Sequence, residues 1–254
     1  MERNYTNIDL NNVDTEHLCC IIRRKKDIEG IILKKEWLKK QINNGHIFHK
    51  LDVNKTAFIE FAPLEYAYCP IKGNNYLYIY CLWVDNDLKG NGIGRELLDY
   101  AINYATNNNK SGLCLLNCNK KKNWLTNKDF FIHNGFKVVD STNSGYQLLA
   151  LSFNDENVSF LANAKKERID DNDLVIYYTN QCPYIAKSLE IIKTYCESKN
   201  IRYKLNEVKT IKEAKELPCV FNNFAVFYKG EFKTVNLLDL STLERIIKKW
   251  KRNT

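Results

Sequence analysis

The chain has 254 residues, ten Gly and four Pro, 44% hydrophobic and 27% charged residues and a formal net charge of +8, which excludes collagenous, low-complexity and disordered classes and leaves material for one large core or two modest ones. The longest apolar run, Tyr76–Val84, is far short of the roughly 18 residues of a membrane span. The polar Met1–Leu10 segment lacks a leader layout, so a cytoplasmic protein with no membrane contact is expected. In chain order, the patterns predict helices at Thr15 to Ile22 and Lys34 to Asn43, then strands at His46 to Leu51, Thr56 to Ala62 and Tyr76 to Val84. A Gly-bearing turn follows, then a helix from Ile93 to Asn107, whose Leu97, Leu98, Ala101, Ile102 and Ala105 form one apolar stripe. A strand at Gly112 to Cys118, a helix at Lys128 to Asn134 and strands at Phe136 to Asp140 and Tyr146 to Phe153 complete the first part. Residues 153–173, rich in Asn, Asp, Glu and Lys, read as a linker between domains at 1–152 and 174–254.

The second part reads as a strand at Leu174 to Thr179, a helix after Cys182-Pro183, a strand at Arg202 to Glu207 and a short helix at Ile211 to Lys215. Strands at Ala225 to Tyr228 and Glu231 to Asn236 flank Lys229-Gly230, and a last helix opens with the capping box Ser241-Thr242-Leu243-Glu244. The order β-α-β-α-β-β-α is that of a thioredoxin-like fold. Nine cysteines at scattered spacings point to reduced thiols, without a disulfide framework or a paired metal-binding set. The charge is +2 up to residue 160 and +6 beyond it, concentrated in Arg245, Lys248, Lys249, Lys251 and Arg252. That run reads first as the wet face of a terminal helix, which disfavours nucleic acid as a partner.

The densest chemistry lies in Lys89-Gly90-Asn91-Gly92-Ile93-Gly94-Arg95, between a strand and a helix. Alternate glycines let backbone N–H groups point inward, and the following helix N-terminus adds partial positive charge, so the turn suits a pyrophosphate. It has neither the Lys-Ser/Thr ending of a P-loop nor the G-x-G-x-x-G spacing of dinucleotide sites. Together with Val84-Asp85 before it and Glu96-Leu97-Leu98 after it, the turn resembles the acetyl-CoA motif of the GCN5-related N-acetyltransferases (GNAT), with Lys89 where that family has Gln or Arg. Phe130-Phe131-Ile132-His133-Asn134-Gly135-Phe136 is similar to the family's second motif. The resemblance spans residues 5 to 152. It implies an α/β (α+β) protein: a GNAT fold with a mixed central sheet, followed by a smaller thioredoxin-like domain that resembles the YoaP-like unit.

The resemblance also implies acetyl-CoA as co-substrate, no metal, and an amine acceptor, for which a small molecule is the preferred reading. The pyrophosphate site falls on Lys89, Gly90, Asn91, Gly92, Ile93, Gly94 and Arg95, and the pantetheine arm on Leu82, Trp83 and Val84. Asn119 is a further candidate for the arm. The family's tyrosine acid is replaced by Phe131, which leaves Tyr76, Tyr78, Tyr80, Cys118 and His133 as stand-ins. For the base, Glu60 within Phe58-Ile59-Glu60-Phe61 and Glu65 are candidates, because a buried Glu60 would have a raised pKa. Cys182-Pro183-Tyr184-Ile185 resembles a glutaredoxin site with one cysteine left, and a helix N-terminus would favour a reactive Cys182 thiolate. The rival reading is therefore a thiol-based redox or sensing protein that binds CoA without turning it over.

Overall fold

Alternating apolar strands joined by short Gly- and Asn-bearing turns build the first half around one sheet. The computed structural model describes residues 3–20, 28–53 and 55–251. Its first half runs β1 (Tyr5–Asn7), α1 (Ile28–Ile42), β2 (Ile47–Leu51), β3 (Ala57–Pro63), β4 (Ile71–Gly73), β5 (Tyr76–Val84), α2 (Ile93–Asn107), β6 (Gly112–Cys118), α3 (Lys128–His133), β7 (Lys137–Ser141), β8 (Tyr146–Ser152) and β9 (Val158–Phe160). The second half runs β10 (Leu174–Tyr178), α4 (Tyr184–Ser198), β11 (Tyr203–Glu207), α5 (Ile211–Glu216), β12 (Phe224–Tyr228), β13 (Glu231–Thr234) and α6 (Leu240–Lys251).

The main sheet has the order β1-β2-β3-β5-β6-β8-β7. All its neighbours are antiparallel except β5 and β6. That parallel pair is registered only where Tyr76, Leu77 and Tyr78 meet Gly112, Leu113 and Cys114, so the rest of β5 and β6 forms the two sides of a cleft. The expected stripe of α2 covers one sheet face: Leu97, Leu98, Ala101 and Ala105 pack on Ile59, Phe61, Leu77 and Ile79. Period-two alternation sends Tyr76, Tyr78, Tyr80, Cys114, Leu116 and Cys118 to the other face, where Val220 and Val235 of the second unit complete the cluster.

The second unit is a four-stranded sheet ordered β11-β10-β12-β13. Its β10 and β11 are parallel and the other pairs antiparallel. Ile176, Ile185, Ile192, Val226 and Leu243 form the core between this sheet and α4 and α6.

Three sequence expectations need correction. Thr15 to Cys20 is irregular, with a turn and bends rather than helix, its Leu18 and Cys19 buried, and Ile21 and Ile22 lie outside the described residues. Residues 153–173 are no free linker: β9 pairs with β4, burying Val158 and Phe160 on alternate positions, and Asn163 Nδ2 donates to the carbonyls of Lys215 and Leu217 at 2.7 and 2.8 Å. The last helix is capped two residues earlier than the box at Ser241 implies. Asp239 Oδ1 accepts from the Thr242 N–H at 2.7 Å, and Leu240 is already helical.

Candidate active site

The cleft is organised by a bulge in β5. Glu60 pairs with Cys81 while the next residue on β3, Phe61, pairs with Ile79, so Tyr80 is the extra residue. Side-chain parity shifts there: Ile79 and Leu82 face α2, whereas Tyr80 and Cys81 both turn to the opposite face. Leu82 is buried, Val84 half-buried and Trp83 37% exposed at the open end of the strand.

The turn after β5 docks on that end. Gly92 is the N-cap of α2 at φ 79°, and its carbonyl accepts from the N–H groups of Arg95 and Glu96 at 2.9 and 3.1 Å. Gly90 has φ 80°, and a Cβ there would meet nothing within 4 Å, so Gly90 faces open space, and both it and Gly92 hold a conformation that a side chain would strain. Ile93 is buried, while Lys89, Asn91 and Arg95 are exposed. Lys89 Nζ is drawn to Asn86 Oδ1 at 2.7 Å, and Arg95 is committed to Asp99 (2.8 Å) and Asn134 (2.6 Å), which directs its charge along α2 and α3. Sequence reasoning missed Arg3, which donates to the Asn91 carbonyl at 2.8 Å and pairs with Glu96; nothing local marks a contact across 88 residues. On the far side of the cleft, Asn117 Nδ2 holds the Thr126 carbonyl at 2.8 Å and Thr126 Oγ1 donates to the Leu82 carbonyl at 3.3 Å. Asn119 donates its N–H to the Gly145 carbonyl at 2.9 Å and accepts from Cys118 Sγ at 3.6 Å.

The carboxylates lie elsewhere than expected. Glu60 is 1% exposed, but it is not a lone buried acid. Oε1 accepts from Lys34 Nζ and lies 2.8 Å from His46 Nε2, and Oε2 accepts from Gln181 Nε2 of the second unit at 2.6 Å. Burial pushes the carboxyl up, yet the Lys34 charge and the His46 and Lys34 hydrogen bonds outweigh it, so the pKa is lowered rather than raised. A saturated carboxylate of this kind positions its neighbours. Glu65 is exposed and accepts from the Asn75 N–H at 2.9 Å, which places it at the start of β5, the end opposite the cleft. The tyrosine stand-ins are also engaged. Tyr76 donates to Ser152, Tyr78 donates to Asn222 Oδ1 at 2.8 Å, and Tyr80 Oη accepts the Tyr68 N–H at 2.7 Å. Phe131 is fully buried between Phe130 and Phe136, and His133 is exposed on α3, bonded to the Asp129 carbonyl.

Cys182 precedes α4, with Pro183 as the cap residue. Its environment runs against the sequence expectation: burial pushes the thiol up to about 12, the hydrogen bond to the Tyr184 backbone and the Lys34 charge only partly offset this, and Cys19 and Glu60 add to it. Cys20 and Cys81 are likewise raised, by burial first, then by Cys182 and Cys19 at Cys20 and by Cys20, Glu60 and Cys182 at Cys81. All three shifts run against thiolate at these positions. Among the described residues no group of three or more His, Cys, Asp or Glu is arranged to hold a metal ion, and no helix is long and apolar enough to cross a membrane.

A mixed sheet whose one parallel pair diverges beside a glycine turn and helix N-terminus defines the GNAT class of acyltransferase folds, and residues 43–138 match the family model for the acetyltransferase (GNAT) domain. Residues 203–245 match the YoaP-like family model. The chain is 31% identical over 245 residues to an uncharacterized N-acetyltransferase, YoaP, of Bacillus subtilis (strain 168), covering 96% of this chain and 98% of that protein. The chain belongs to this family of GNAT N-acetyltransferases with a C-terminal YoaP-like unit. Among solved structures it is similar to a PaiA N-acetyltransferase of Thermoplasma acidophilum in complex with coenzyme A, at 18% identity and TM-score 0.45 over 60% of this chain and 100% of that one. It is also similar to a GNAT acetyltransferase of Staphylococcus aureus Mu50, at 15% identity and TM-score 0.41 over 60% and 100% of the two chains.

Proposed function

We propose that the protein transfers an acetyl group from acetyl-CoA to a small-molecule amine in the cleft between β5 and β6. The observation that carries this reading is the end of β5–β6 pairing after Tyr78 and Cys114, which leaves Ile79–Val84 of β5 without a β6 partner on the way to the Gly90–Gly94 turn. The residues fit the co-substrate: Gly90 and Gly92 hold left-handed φ values, with open space at Gly90, and backbone N–H groups and the start of α2 favour a pyrophosphate there. When bound there, acetyl-CoA supplies an activated acetyl thioester. The backbone of Leu82, Trp83 and Val84 has no β6 partner in register and, apart from the Leu82 carbonyl that Thr126 Oγ1 engages, is available to pair with the amide arm, and Asn119 stands at the tip of β6. The amine nitrogen bonds the acetyl carbon as the carbon–sulfur bond breaks, the sulfur keeps that bond's electron pair, and the amine's proton passes to water. Phe131 provides no proton at the family's tyrosine position, and Glu60 acts by holding Lys34, His46 and Gln181 in place. The nine free cysteines support a reducing, cytoplasmic setting. The strand order β11-β10-β12-β13, with one parallel pair, supports a thioredoxin-like reading of residues 174–254.

Calorimetric titration with acetyl-CoA and CoA tests the reading. Micromolar-range binding by the wild type that is lost in Gly92→Glu, which adds bulk and negative charge at φ 79°, is the expected outcome. Absence of binding to folded wild-type protein would overturn it.

A further inference from the structure

The second unit is seated on the side of the cleft opposite α2, and it brings chemistry there that the first unit lacks. Gln181 is bonded to Glu60, whose β5 partner is Cys81. Two residues on, a Cβ added at Gly30 of α1 would come within 2.0 Å of the Pro183 carbonyl oxygen, so α1 and this segment are in close contact. Cys182 is thereby wedged between α1 and the β5 bulge. Tyr184 then reaches across to Trp124 of the loop after β6, with ring centroids 5.3 Å apart and planes at 65°. Trp124 remains 40% exposed in spite of that contact, and Thr126, two residues later, ties the same loop to Leu82. Trp83 pairs across the sheet with Phe58, which faces this same side, and it too remains exposed.

We infer that the amine acceptor site is built jointly by the two units, with Trp83, Trp124 and Tyr184 as aromatic walls, and that it takes a primary amine carried on a flat apolar body, an arylalkylamine. This rests on the acetyltransferase reading above and specifies its substrate class. Aromatic faces hold an incoming ammonium by cation–π attraction and a flat ring by edge or offset contacts, without a carboxylate. The carboxylate that β3 brings to this side, Glu60, has both oxygens engaged, so it offers no counter-charge for a polycationic amine.

The test uses the full chain with acetyl-CoA, tryptamine as the aromatic probe and spermidine as the polycationic one, acetylated product being read by mass spectrometry and CoA binding by calorimetry. The expected result is a kcat/KM for tryptamine about tenfold or more above that for spermidine. In Tyr184→Ala and Trp124→Ala, KM for tryptamine rises about tenfold while kcat and CoA affinity stay near wild type, and Tyr184→Phe, which keeps the ring, restores KM. Preference for spermidine, no acetylation of tryptamine by protein that binds acetyl-CoA, or an unchanged KM in both alanine variants would overturn the inference. Failure to bind acetyl-CoA would instead overturn the acetyltransferase reading itself. A Tyr184→Ala protein that does not fold, judged by lost CoA binding, shifts the decision to Trp124→Ala and Tyr184→Phe.

Discussion

Glu60 carries opposite expectations for folding and for catalysis, and its partners decide between them. Removing Lys34 leaves a buried carboxylate without its cation, a change that costs about 3–5 kcal/mol, so Lys34→Ala should lower the urea midpoint strongly. The paired replacement Lys34→Met with Glu60→Leu should recover much of that loss, because it removes both buried charges together. If the double variant also binds acetyl-CoA as the wild type does, the positioning role of Glu60 is supported; a direct proton-transfer role would instead abolish turnover at unchanged stability. A second titration belongs to His49, stacked between Tyr5 and Tyr100 and lowered by burial to about 4 from an ordinary value of 6.5. The folded state holds this imidazole neutral, so its contribution to stability is complete above pH 6.5 and is lost as pH falls from there through 4. Denaturation midpoints measured between pH 7 and pH 4 should fall across that window, and His49→Gln should flatten the fall.

Two elements depend on a single backbone position each. At Gly30, α1 comes so near the Pro183 carbonyl that a methyl group has no room, and the obstacle is backbone rather than a flexible side chain. Gly30→Ala should therefore cost about 1–3 kcal/mol by overpacking and push α1 away from α4, although alanine is the better helix former. A fall in melting temperature checks this; a rise, as helix propensity alone would give, would contradict the close approach. At the start of α6, Asp239 rather than Ser241 satisfies the first-turn donors, so Asp239→Ala should destabilise by about 1 kcal/mol and Ser241→Ala by much less.

The whole molecule behaves as two chain segments sharing cores. Tyr78 and Tyr80 of the main sheet meet Asn222, Glu60 meets Gln181, and Val220, Phe232 and Val235 close an apolar cluster under β5 and β6. Burial of such polar groups is tolerated only while they are paired. A chain ending after residue 165 would expose that sheet face, take Gln181 from Glu60 Oε2 and take Asn222 from the Tyr78 hydroxyl. It should be insoluble or partly unfolded, while the full chain should unfold in one cooperative transition observed equally by fluorescence and circular dichroism.

Much of the site's frame was legible in the chain itself, because the signals are local. Val84 to Leu98 encodes strand, glycine turn and apolar helical stripe within fifteen consecutive residues, and the observed β5 and α2 begin and end as the pattern implies. The same holds for β6, for α3 and for the alternation of the second unit, since periodicity and turn chemistry act between near neighbours. Partnership at long range had no such signal. The glutamate in β3 looks like a candidate base until Lys34, His46 and Gln181 arrive from three other places in the sequence, and Cys182 looks like an activated thiol until α1 and β5 bury it. The polar residues 153–173 look like a linker until β4 offers β9 an edge. Sequence determined the elements and the cofactor-type turn because these rest on backbone preference over a few residues; tertiary structure alone decided charge state, exposure and which unit faces the cleft, because those depend on desolvation and on groups brought together from distant parts of the chain.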